Sequence, residues 1–248
     1  MPGNYALIIP ALNEEGSVGA LLRAIPTGLF NDVVVVDNGS EDRTAEVARD
    51  AGARVVLEPR RGYGQACQAG LRVLGSPIEA VAFLDADFSD DPAELAALVR
   101  EFEAGAWDLV IGSRVLGEAE PGALTPLQRF GNGLATWLIR RIWGVRFTDL
   151  GPLRIIRRAA LDRLAMADTN FGWTVEMQAK AAKCGLRVTE IPVRYRRRHS
   201  GKSKISRTVS GSFRAGWKIL WTIYACGQSS TGSQPSPELS RARRRGKN

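Results

Sequence analysis

The stretch AFLDADFSDDP, residues 82–92, passes from an apolar run into four aspartates within seven positions. Carboxylates gathered at the end of a buried run repel one another and resist desolvation, so each needs a partner or a purpose. Asp91, Pro92 and Glu94 spell a helix start: an N-cap, a proline at the first helical position and a capping-box acid. Asp90 neighbours that start and acquires no role from the pattern. Asp85 and Asp87 form a D-x-D pair, and two carboxylates so spaced can close on one divalent cation whose charge removes their repulsion. His199 is the only histidine, and Cys67, Cys184 and Cys226 fall in no ligand motif. A metal here is therefore hard and oxygen-bound.

The surrounding chain must hold those aspartates. Short β-rich runs recur at 5–10, 32–37, 53–58, 80–85 and 108–112, separated by helical patterns over about 14–25, 44–51, 63–74 and 92–104. Continuous apolar strands alternating with helices predict an α/β fold, a mostly parallel sheet flanked by helices on both faces. Ligands bind beyond the carboxyl ends of such strands. Residues 10–14, 37–40, 58–64 and 85–91 then share one rim.

The 248 residues, 44% hydrophobic, suffice for one sizeable domain. No signal-peptide pattern and no apolar run of spanning length is visible, and the unpaired cysteines fit a reducing compartment. Net charge is +8. Residues 228–248, rich in Ser, Gly, Pro and Arg, read as a disordered basic tail. Residues 191–227 contain no Asp or Glu but nine Lys or Arg, which predicts an anionic partner. No nucleic-acid-binding motif accompanies them, so nucleic acid is not the expected one.

Two acid-free segments have helical periodicity. In 126–147, apolar residues at 127, 130, 134, 137, 138 and 142 make a stripe beside Arg129, Arg140, Arg141 and Arg146. In 205–227, Val209, Phe213, Trp217, Leu220, Trp221 and Tyr224 share a face, with Arg207, Arg214 and Lys218 on another. Both could pack on the domain as ordinary amphipathic helices. Both could instead lie in a membrane interface, aromatics dipping in and cations reaching lipid phosphates.

The D-x-D-x-S of residues 85–89 also fits haloacid-dehalogenase-type phosphatases, but there the first aspartate follows the first strand, and here three strand–helix units precede it. The ordered set IIPALNEEGSV, VVVDNGSEDRT, RRGYGQACQAG, FLDADFSDDPAEL and IGSR resembles the inverting family 2 glycosyltransferases of GT-A fold. The branch most similar contains dolichyl-phosphate mannose synthase and related polyprenyl-phosphate glycosyltransferases. TDLGPLRIIRR, GWTVEMQAKAAKCG and RRRHSGKSK resemble further motifs of that branch, so the likeness runs over about 5–204. Two places depart from it: Ser89 stands where relatives carry Gln, and Leu150-Gly151-Pro152-Leu153-Arg154 where they read S-G-F-R.

The resemblance implies a catalytic domain over 1–204, with 205–227 as an appended helix. It implies transfer from a nucleotide-diphospho-sugar of GDP-mannose or UDP-glucose type to a polyprenyl phosphate, with inversion. Pro10, Leu12, Glu14, Asp37, Gly64, Asp85 and Ala86 would line the nucleotide-sugar site, and Asp85 and Asp87 would bind Mg²⁺ or Mn²⁺ on the diphosphate. Asp87, Arg114, Glu176 and Arg198 are the catalytic candidates. Arg129, Arg154, Arg198, Ser203 and Lys204 are the candidates for acceptor or donor phosphates. A hydroxyl acceptor would require a general base, for which Glu176 is the candidate; its plainer role, like that of Asp149, is a buried carboxylate holding a loop. The plainer role of Glu14 is a helix first-turn acid, and that of Arg114 a surface ion pair. Such a chain would be cytoplasmic and bound peripherally to the inner face of a membrane, through an anionic lipid surface or a membrane-protein partner.

Overall fold

The computed structural model describes residues 3–75, 77–198 and 209–228, with the backbone alone for 209–216. Ser203 and Lys204, and the tail beyond 228, lie outside the described residues. The five predicted strands form as β1 (Tyr5–Ala11), β2 (Asp32–Asp37), β3 (Arg54–Leu57), β4 (Ala80–Phe83) and β5 (Leu109–Ser113). The helices between them are α1 (Val18–Ala24), α2 (Thr44–Asp50), α3 (Tyr63–Val73) and α4 (Glu94–Ala104). Then follow α5 (Pro126–Trp143), β6 (Arg154–Arg157), α6 (Arg158–Leu164), α7 (Trp173–Lys183), β7 (Val188–Pro192) and α8 (Val209–Gln228). Neither β6 nor β7 stands out in the sequence: β6 is four residues with arginine at both ends, and β7 is a half-buried edge strand.

The seven strands run in the order β3-β2-β1-β4-β6-β5-β7. Only β6 is antiparallel, to both β4 and β5; every other pairing is parallel. The carboxyl ends of six strands therefore share one rim with the amino end of β6. Most segments singled out for chemistry border that rim, while Arg129 and Glu176 lie on α5 and α7. Residues 12–14 follow β1, 85–91 follow β4, Arg114 follows β5 and 193–198 follow β7, while 149–154 lead into β6.

Alternating strand residues feed two cores, one on each face of the sheet. Ile8, Val34, Phe83 and Trp173 pack on the side of α3, α5 and α7, and Leu7, Ile9, Val35 and Leu95 on the side of α1, α2 and α4. Helix α3 presses on the sheet where Gly70 meets Ile8; a Cβ there would come within 2.8 Å of the isoleucine.

Helix α5 starts with a full capping box, Thr125 and Gln128 around Pro126, and ends on the left-handed Gly144. It packs on α7 and α8. It does so through Ala135, Thr136 and Ile139, while Leu127, Phe130, Trp137 and Ile142 of the predicted stripe are at least half exposed. In α8, Thr222, Ile223 and Cys226 are buried while Trp217, Trp221 and Tyr224 face out. Among the described stripe residues, these seven lie off the packing faces, whereas Leu138 of the α5 stripe packs against the core. Lys218 is not free to reach a lipid either, because its Nζ sits 2.8 Å from Asp168 Oδ2.

Candidate active site

The backbone turns sharply where the D-x-D pair leaves β4. Phe88 has φ 60°, a left-handed conformation that a bulky side chain adopts only under constraint. That turn lets Ser89 N donate to Asp87 Oδ1 at 2.9 Å. Asp87 Oδ2 faces Arg198 Nη2 at 2.9 Å, and Arg198 Nη1 lies 3.6 Å from Glu14 Oε1. Residues from β1, β4 and β7, distant in sequence, thus meet at one point. Glu14 is not a helix first-turn acid: it precedes α1, buried, with Oε2 accepting from Ser17 Oγ at 2.8 Å. Its own N–H donates to Thr44 Oγ1 at 2.7 Å, which ties this loop to α2.

Asp85 is the other half of the pair. Its Oδ1 is buried with no hydrogen-bond partner. Burial first, then the carboxylate of Asp87, pushes its carboxyl up to about 7. Ser89 Oγ is also buried without a partner. Orphaned oxygens beside two mutually repelling carboxylates are what a hard cation would satisfy, so the residues present fit one. Among the described residues no three acidic, histidine or cysteine side chains are grouped to hold a metal by themselves. The remaining ligands would be substrate phosphate oxygens, the habit of magnesium-type sites.

The basic segment after β7 closes over this loop with alternating contacts. Arg194 Nε reaches Glu94 Oε1 at 2.9 Å, and Arg196 Nη2 reaches Asp91 Oδ2 at 2.6 Å. The N–H of Arg196 donates to Ser89 O at 2.7 Å. Arg197 turns the other way, to the Pro121 carbonyl at 2.8 Å through Nε. Of the four arginines from 194 to 198, Arg198 is the one aimed at the aspartate pair. Asp91 therefore anchors the basic segment, and it also caps the turn before α4 by accepting from Ala93 N at 3.1 Å. Glu94 turns to Arg194 instead of completing the predicted capping box. Asp90 is buried: it is 1% exposed, both oxygens lack partners, and burial with nearby Asp85 holds its carboxyl well above the usual range.

Arg114 enters a buried pair. Its Nε and Nη2 donate to the two oxygens of Asp149 at 2.7 and 2.8 Å, and its guanidinium lies 4.9 Å over the Tyr195 ring. Burial opposes its charge, but the Asp149 carboxylate outweighs that and raises its pKa. The Arg114–Asp149 pair, a surface pair only in the plainer reading of Arg114, is thus a buried clamp joining β5, the 149–154 loop and the β7 exit. Breaking a buried pair strands one charge, so Asp149→Asn should lower stability by about 3–5 kcal/mol, read from urea midpoints at constant m-value. An unchanged midpoint would contradict this structural role.

Two predicted residues are placed against their expected roles. Arg154 is not a phosphate ligand here: it is 1% exposed, its Nη1 donates to Thr174 O at 3.0 Å, and its Nη2 donates to the Gly151 and Leu150 carbonyls. Burial lowers its pKa to about 10. Glu176 is not poised as a base. Its oxygens accept from Ala167 N and Asp168 N at 2.8–3.1 Å, and Lys180 Nζ lies 2.7 Å away. Glu176→Gln should cost about 1–3 kcal/mol of stability and change transfer less than tenfold, whereas loss of a general base costs about 10²–10⁴-fold. Steady-state rates and melting of the same preparation check this together.

The remaining predicted residues line the rim more loosely. Pro10 and Leu12 are half-buried at the exit of β1, Ala86 is buried between Asp85 and Asp87, and Asp37 Oδ1 accepts from Ser40 N at 2.9 Å. Gly64 is a close-approach glycine: a Cβ would fall 2.1 Å from Asp168 O. Arg129 is exposed on the first turn of α5 and makes no ion pair among the described residues. Tyr195 and Asn38 escaped the sequence reading. Tyr195 supports Arg114, and its hydroxyl is pushed up to about 12 by burial and by Asp90. Asn38 ties the loop before α3 together, donating to Glu58 O and Arg60 O and accepting from Gly62 N. Its place after Asp37 was the one available signal.

The family model described as Glycosyl transferase family 2 matches residues 6–165. The chain is a family 2 glycosyltransferase. This glycosyltransferase is 42% identical over 219 residues to an uncharacterized glycosyltransferase of Mycobacterium tuberculosis, covering 86% of this chain and 96% of that one. It is 30% identical to the dolichyl-phosphate hexose transferase of Haloferax volcanii, over 84% of this chain and 90% of that one. Among solved structures, it superposes with a TM-score of 0.72 on glucosyl-3-phosphoglycerate synthase from Mycobacterium tuberculosis, crystallised with Mn²⁺, UDP-glucose and phosphoglyceric acid. That match is 21% identical and covers 96% of this chain and 85% of the other. The fold of the glycosyltransferase is GT-A, as its motifs led one to expect.

Proposed function

We propose that this enzyme moves a hexose from a nucleotide-diphospho-sugar, of GDP-mannose or UDP-glucose type, to a polyprenyl phosphate with inversion at the anomeric carbon. The observation that carries this reading is the convergence of Arg198 on Asp87 and Glu14. It sets a cation from the basic β7 segment beside the carboxylates that would hold Mg²⁺ or Mn²⁺. A phosphate acceptor is already anionic and needs charge compensation and positioning, not deprotonation. The hydroxyl-acceptor alternative requires a base, and the candidate Glu176 has both oxygens occupied by amides and Lys180.

In this reading the rim loops after β1 and β2 receive the nucleoside, with Glu14 and Asp37 accepting hydrogen bonds. Asp85 and Asp87 would hold the cation, which when bound supplies Lewis-acid neutralisation of the charge developing on the leaving diphosphate. Arg198 would compensate the acceptor phosphate, and the Arg114–Asp149 clamp would keep the β7 exit in register. The sugar–diphosphate bond breaks as the acceptor phosphate oxygen bonds to the opposite face of the anomeric carbon. The names of the Haloferax dolichyl-phosphate enzyme and of the dodecaprenyl-phosphate galacturonate synthase of Rhizobium johnstonii, 29% identical over 218 residues, support this acceptor class. The Mn²⁺ and UDP-glucose in the fold relative's crystal support the cation and donor class. No helix among the described residues is long and apolar enough to cross a membrane.

A melting panel of GDP- and UDP-sugars, each with Mn²⁺ or EDTA, tests the donor side. One nucleotide should stabilise the fold only with metal, by about 2.7 kcal/mol at a hundredfold excess over Kd. Equal shifts in EDTA would remove the cation from the account.

A further inference from the structure

Eleven large hydrophobic side chains are exposed among the described residues, and seven of them lie on α5 and α8. The two helices are separated by more than sixty residues of sequence yet pack on each other. The fully buried residues of the two helices are smaller, Ala135, Thr136, Ile139, Thr222, Ile223 and Cys226, so the exposed aromatics are not displaced core. A monomeric protein seldom leaves such a concentration of apolar surface uncovered unless something docks there.

We infer that α5 and α8 form a docking face for an anionic lipid bilayer. Trp217, Trp221 and Tyr224 from α8, with Phe130 and Trp137 from α5, are the side chains that enter the interface. Trp and Tyr suit that depth because their rings are apolar at one end and polar at the other. Charge selects the bilayer over the alternatives. Neither helix contains an Asp or Glu, and Arg129, Arg140, Arg141 and Arg146 are exposed on α5 and just beyond it. A second copy docked by a twofold axis would set this acid-free surface against itself, cation against cation. An anionic headgroup layer instead complements it, with arginine stems lying along the apolar stripe and guanidinium groups at the phosphates. The helices contribute to the membrane only through their outer stripes, since Lys218 is engaged with Asp168 and Thr222, Ile223 and Cys226 are buried. The inference stands whatever the acceptor, because it rests on exposure and charge outside the rim.

The test is flotation of the full chain with vesicles of phosphatidylcholine alone and with phosphatidylglycerol added, with brominated lipids to report tryptophan depth. Binding should require phosphatidylglycerol, weaken with salt, and quench tryptophan fluorescence. Trp137→Ser with Trp221→Ser should reduce partitioning about tenfold or more, with an unchanged melting temperature since both side chains are exposed. Arg140→Glu with Arg141→Glu should erase the preference for anionic vesicles. Vesicle binding that survives the tryptophan changes without quenching would assign attachment to the basic tail and overturn the inference. A lipid-free dimer that the tryptophan changes dissociate would overturn it equally, in favour of a second copy.

Discussion

Asp87→Asn is expected to reduce sugar transfer by about 10³-fold while the protein remains folded. A bound cation stabilises the leaving diphosphate by several kcal/mol, and each 1.36 kcal/mol is a factor of ten in rate. Burial does most to raise the Asp85 carboxyl and remains, but removing one of two carboxylates takes away the repulsion that adds to it, so the metal-free fold loses its pair with Arg198 but gains some relief at Asp85. Those effects oppose each other, and melting temperature should move little. Isothermal titration with Mn²⁺ and a transfer assay on the same sample separate the two readouts. Full activity in folded Asp87→Asn protein would mean that the D-x-D pair serves the architecture and not the reaction.

Arg198→Ala should produce two effects of opposite sign. Without its guanidinium, Asp87 Oδ2 is released, and Mn²⁺ binding in the absence of substrate should tighten several-fold, since a competing cation 2.9 Å away has gone. Transfer should nevertheless fall about 10²–10³-fold, the usual loss when a charge-stabilising donor is deleted from a reacting centre. Arg198→Lys should restore part of the rate, because a point charge replaces a forked donor. Weaker Mn²⁺ binding in Arg198→Ala would show that the arginine supports the carboxylates instead of competing for them.

The sequence was most legible where local patterns alone decide structure. Five apolar runs bounded by turn residues became five strands, and the rim positions of Glu14, Asp37, Asp85 and Asp87 followed from parallel topology. Strand β6 was hidden because Arg154 and Arg157 flank only two apolar residues, and its reversed direction is a property of the whole sheet. Side-chain direction was the main loss. The letters around Arg154 resemble a functional motif but carry no sign that its guanidinium points inward to the Thr174 and Gly151 carbonyls. Likewise Glu176 could be placed on a helix, but not beneath the amides of Ala167 and Asp168, which lie across a loop of unremarkable composition. Periodicity found the stripes of α5 and α8, yet periodicity cannot tell a stripe that packs on a core from one that faces away. Among the four aspartates, the structural role of Asp91 before α4 was readable. The partners of Asp91, Arg194 and Arg196, lie about a hundred residues away and were not.

The measurement that bears most directly on the central claim is transfer of labelled hexose from the stabilising nucleotide-sugar to a short polyprenyl phosphate, with Mn²⁺ and with EDTA. The account predicts a metal-dependent, organic-extractable product whose anomeric configuration is opposite to that of the donor. Label found only in a water-soluble glycoside, formed equally well without the polyprenyl phosphate, would contradict it.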